Sequence, residues 1–138
     1  MFAHVSLWGI ALSVVAAMVI GGVWYSPVMF GARWMKAISL TNEAMKARTK
    51  SALVVLVAVY TLTAYALSLF TAYFHAYNGG SGLKDGLITS LLVWLGFGVT
   101  TILAHGVFEP RDRSVLYVNI SNRFATLVAM GLIVGAFF

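Results

Sequence analysis

Four long apolar stretches, separated by short polar segments, set the pattern of this chain. They run from about Ala3 to Ser26, Ser51 to Phe74, Asp85 to Ala104 and Val115 to Phe138. Each holds about 20 or more residues, which at a rise of about 1.5 Å covers roughly 30 Å of hydrocarbon. The runs are continuously apolar and do not alternate, so they predict helices rather than the strands of a barrel. The expected fold is an all-α membrane protein, a four-transmembrane-helix bundle forming one domain over residues 1–138.

The polar segments add detail. Pro27 cannot continue the first helix, so the chain turns there. Over Val28–Ile38, Phe30, Trp34 and Ile38 recur at four-residue steps while Arg33 and Lys36 lie elsewhere on the wheel. This predicts a short interfacial segment after helix 1. Trp24, Tyr25 and Trp34 are the expected interfacial anchors, since amphipathic rings favour the headgroup level. Thr41 or Asn42 caps the next helix, whose basic first turns lead into the second span. Tyr77–Gly82 reads as a flexible turn.

Composition agrees with burial in lipid. Apolar residues make up 61% of the 138, and charged residues only 9%. A soluble domain carries about 25% charged residues, so a water-facing surface cannot be built from this set. The net charge of +5 sits between the spans, which favours membrane topology over nucleic acid as its cause. Seven of the nine Lys and Arg fall in the first and third loops (Arg33, Lys36, Lys46, Arg48, Lys50, Arg111, Arg113), against Lys84 on the opposite side. Both termini are therefore expected on the non-cytoplasmic side. The first Lys or Arg is Arg33, so the first span lacks a signal peptide's basic start and is expected to be retained.

The segment Gly22–Lys36, with its Trp24-Tyr25-Ser26-Pro27 run followed by Phe30-Gly31 and Trp34, resembles the bacterial membrane family called domain of unknown function 1761. Trp94-Leu95-Gly96-Phe97 and the spacing from Asn119 to Met130-Gly131 fit the same pattern. The resemblance implies a four-helix fold in a bacterial inner membrane, and it supplies no activity and no catalytic residues.

Candidate chemistry is sparse. Without cysteine there is no disulfide, thiolate metal site or cysteine nucleophile. No Ser-His-Asp set, phosphate loop or metal-binding helix motif is present, so an enzyme, a cofactor and a metal are not expected. His4, His75 and Asp85 share the outer side, with His105 at the inner, but none pair at ligand spacing on one helix. No Asp or Glu is expected inside any span, which argues against proton-coupled export.

Two patterns stand out. Gly9, Ser13, Ala17 and Gly21 form a small-residue stripe, which in lipid permits close helix packing within one bundle or between subunits. Asn119, Asn122, Arg123 and Thr126 share one face of the fourth helix. Arg123 falls about 8 Å inside the inner boundary, close enough to snorkel or pair with Glu43, Glu109 or Asp112, or to hold an anion or lipid headgroup. Trp94 sits mid-span beside Gly96 and Gly98, where its indole needs a partner. The leading expectation is a non-enzymatic helix-packing component, a homo-oligomer or accessory subunit of another membrane protein. A channel or transporter for a small solute or ion comes second. Third is a headgroup or anion binder at the cytoplasmic face, with membrane lipid as its partner.

Overall fold

A computed structural model describes residues 5–108 and 112–138. Its helices are α1 (Leu7–Trp24), α2 (Gly31–Ala37), α3 (Asn42–Asn78), α4 (Gly82–Val93), α5 (Thr100–Phe108) and α6 (Arg113–Gly135). A π-helical turn, Trp94–Val99, joins α4 to α5 into one rod over Gly82–Phe108. With α1, α3 and α6 this rod makes four helices long and apolar enough to cross a membrane. No strand occurs among the described residues.

Local chemistry sets the boundaries. The Ser6 hydroxyl caps α1 by accepting from Gly9 N–H, and Thr41 caps α3 by accepting from Ala44 N–H at 3.2 Å. Gly79, at φ +60°, closes α3 in the left-handed conformation that glycine adopts without strain. At 37 residues α3 is about 55 Å long, so its charged first turns extend past an apolar layer of about 30 Å. Ala3 and His4 lie outside the described residues, and α1 begins at Leu7 rather than Ala3.

The four rods alternate in direction, and α6 sits at the centre. It carries nine buried residues, including Asn122, Thr126, Met130 and Val134. Met130 packs with Ala17, Tyr60, Ala64 and Leu67 in an apolar core. The small stripe on α1 is spent inside this bundle. Gly9, Ser13 and Ala17 are buried, Ser13 Oγ donates to Met130 O at 3.3 Å, and Gly21 faces the Tyr60 hydroxyl.

The tightest seam is elsewhere, between α4 and α6. A Cβ on Gly86 would land on the carbonyl oxygen of Gly131, and one on Gly82 on that of Gly135. Two glycine pairs at four-residue spacing thus bring the backbones into contact, and Ser90 continues the row against Gly131. Beyond Trp94 the rod packs less closely on α6, touching it at Gly98 through the Arg123 stem and at Gly106 through Leu116. Neither the π turn nor α5 has a buried residue, whereas α4 has five.

Candidate functional site

The Trp-Tyr-Ser-Pro segment folds into a compact hook against α6. Phe30 N–H reaches Trp24 O at 3.1 Å and Gly31 N–H reaches Ser26 O at 2.9 Å. Any Cβ at Gly31 would collide with the Tyr25 and Ser26 carbonyls, so the turn requires glycine. The ring of Phe30 then packs on Trp24 at 5.3 Å, and Trp34 on Tyr25 at 5.0 Å. These rings are more than interfacial anchors. Trp24 Nε1 donates to Val118 O at 3.3 Å, and the Tyr25 hydroxyl donates to Asn119 Oδ1 at 2.8 Å. Burial pushes the Tyr25 phenol, one residue past the end of α1, up to about 12; Tyr60 adds to the rise and Arg123 opposes it. The hydroxyl therefore keeps its proton and its role as donor at neutral pH.

Around this hook the α6 polar face divides. Asn122 and Thr126 turn into the bundle, 8% and 1% exposed. Asn122 Nδ2, Thr126 Oγ1 and, on α2, Trp34 Nε1 are buried without a partner among the described residues. Asn119 and Arg123 instead line two adjoining cavities of about 240 and 230 Å³, which share Thr101 and Ile102 and fill the gap between α5 and α6. Gly98 in the π turn makes room for the Arg123 stem, since its Cβ would sit 3.1 Å from Arg123 Cγ. Among the described residues no carboxylate lies within ion-pair distance of Arg123. Glu109, a suggested partner, lies outside them.

Trp94 anchors the π turn to α6. Its indole donates to Ile120 O at 3.2 Å and its ring meets Phe124 edge-on at 5.0 Å. Nearby hydroxyls are absorbed by their own helices: Thr89 donates to Asp85 O, Ser90 to Leu87 O and Thr100 to Gly96 O. Thr101, by contrast, lines both cavities beside Asn119 and Arg123.

At the far end, sequence reasoning missed a pair. His75 Nδ1 and Asp85 Oδ2 meet at 2.7 Å, with Asp85 only 2% exposed. A buried carboxylate therefore does lie within the Gly82–Phe108 rod. Spacing along one helix could not reveal it. Mirror positions about the short Gly79–Ser81 turn could have, because an antiparallel helix pair places such residues opposite one another. The His75 ring also packs on Phe138, with centroids 6.0 Å apart. No group of three metal-binding side chains forms among the described residues, and His4 lies outside them.

These features define a small all-helical bundle, apolar enough in four rods to enter a membrane, with one polar face, Asn119 to Thr126, on its central helix. The chain belongs to the family described as protein of unknown function (DUF1761), which matches residues 8–135. No curated protein and no solved structure matches the chain at a significant level.

Proposed function

We propose that the protein binds the anionic, phosphate-type headgroup of a membrane amphiphile in the gap between α5 and α6. The observation that carries this reading is Arg123, set in a laterally open cavity without a carboxylate partner among the described residues. A guanidinium within a span is costly unless something answers its charge, and its planar fork matches phosphate oxygens. Asn119 lines the adjoining cavity, held by the Tyr25 hydroxyl. The basic end of the bundle, with Arg33, Lys36, Lys46, Arg48, Lys50 and Arg113, draws anionic lipid toward the same leaflet. We assign that end to the cytoplasmic side of a bacterial inner membrane, with both termini opposite, on the same charge asymmetry.

Two observations favour binding over the other readings. The α1 small-residue stripe is occupied within one chain, so an oligomer has lost its most evident seam. Leu67, Met130 and Leu127, each at most 2% exposed, close the bundle between the Arg123 end and the His75–Asp85 end, which disfavours a through pore. Native mass spectrometry of purified protein with phosphatidic acid, against phosphatidylcholine, tests the reading. Arg123→Gln is expected to lower phosphatidic acid retention by roughly tenfold or more, the scale of a lost charge-assisted hydrogen bond. Equal retention by the variant would refute the assignment.

A further inference from the structure

Arg123 does not stand alone in the gap between α5 and α6. Its stem rests on Gly98, and about two turns nearer the basic end Leu116 rests on Gly106. Between these two contacts lies the cavity of about 240 Å³. Its polar wall is Thr101 and His105 from α5, one helical turn apart, and Asn119 from α6. Asn119 Oδ1 already accepts from the Tyr25 hydroxyl, so the Nδ2 end of the amide is the one left to donate. Thr101 also lines the Arg123 cavity, and Arg123 stands one turn beyond Asn119 on α6. Facing turns of two antiparallel helices therefore carry a guanidinium, an amide, a hydroxyl and an imidazole along one gap.

These groups share one chemistry. Each can donate to an oxyanion, and the imidazole keeps a ring N–H in either protonation state. No carboxylate among the described residues lines either cavity. A phosphomonoester presents three terminal oxygens and about −1.5 to −2 charge at neutral pH. A phosphodiester has fewer free oxygens, a single charge and a second substituent that must run on from the phosphate toward water. Leu116, seated on Gly106, closes the gap in that direction. Resting on the reading of Arg123 as a headgroup site, we propose that the site takes a phosphomonoester in preference to a phosphodiester. His105 and Thr101 are further ligands of its terminal oxygens.

The test is competition between phosphatidic acid, a monoester, and phosphatidylglycerol, a diester, for the full chain in nanodiscs, read by native mass spectrometry. Wild type is expected to retain phosphatidic acid over phosphatidylglycerol by about tenfold. The more highly charged lipid gains from the basic end in any case, so two variants decide. His105→Phe keeps a ring and removes its donors; it is expected to cut phosphatidic acid retention by about tenfold and to leave phosphatidylglycerol unchanged. Leu116→Ala opens the end of the gap and is expected to raise phosphatidylglycerol retention alone. An unchanged unfolding midpoint in detergent shows that a variant is folded, and where one variant fails to fold the other carries the test. Equal retention of the two lipids by wild type, or a ratio left unchanged by a folded variant, overturns the monoester assignment and leaves the Arg123 site standing. Failure of wild type to retain phosphatidic acid above phosphatidylcholine overturns the Arg123 site itself.

Discussion

Tyr25 and Asn119 are joined by one hydrogen bond across 94 residues of sequence, and it fixes how the interfacial hook meets α6. Tyr25→Phe removes the donor and leaves the ring stacked on Trp34. The expected cost is about 1 kcal/mol of stability. Asn119 is also freed to turn, so anionic lipid binding should weaken together with the unfolding midpoint in a denaturant titration. A second residue-scale prediction concerns Asp112, which caps α6 by accepting from Ser114 N–H at 2.9 Å. That backbone bond, with Arg33 acting in the same direction, holds the Asp112 carboxyl below its usual range. A depressed folded value means the contribution is complete above the unfolded carboxylate pKa and is lost as pH falls through the folded one. The protection of first-turn amides in α6, taken relative to their intrinsic exchange rate at each pH, should therefore fall on acidification in wild type. Asp112→Asn, which can cap without a charge, should flatten that dependence.

Between elements, the contrast is a locked α4 and a loose α5. Backbone contact at Gly86–Gly131 and Gly82–Gly135 leaves no room for a methyl group. Gly131→Ala is expected to cost about 1–3 kcal/mol by overpacking, read as a lower unfolding midpoint in detergent. The π turn between these halves amounts to a one-residue insertion in a helix, a feature often found at functional positions. Deleting Gly96 should restore a regular α-helix and narrow the gap that holds Arg123. The expected result is a folded protein that no longer retains phosphatidic acid; full retention would show the π turn to be incidental. Little of this could be read from the sequence. The four helices follow from uninterrupted apolar runs and the caps at Thr41 and Gly79 from residue type. Gly82-x-x-x-Gly86 and Gly131-x-x-x-Gly135 are a readable signal for the tight seam, though a shorter one than the stripe on α1. A π turn leaves no mark on hydropathy, since Trp94–Val99 is as apolar as its neighbours.

At the scale of the molecule, the bundle has two polar ends and an apolar middle. The basic end gathers the Tyr25–Asn119 bond, Arg123 and the α5–α6 gap, and the other end holds His75 against Asp85. The polar face of α6 was legible as a pattern from Asn119 to Thr126. Its division was not, because which side of α6 meets α1 and which meets the gap depends on how three other helices pack around it. The apolar plug between the two ends predicts no conductance: proteoliposomes should hold a proton gradient as well as empty vesicles do. Central to the proposed function is Arg123 answering to a ligand rather than to a side chain of its own. A structure determined in lipid nanodiscs tests this directly. The prediction is headgroup density within hydrogen-bond reach of the Arg123 guanidinium. Arg123 paired with Glu109 and a gap filled by protein side chains would contradict it.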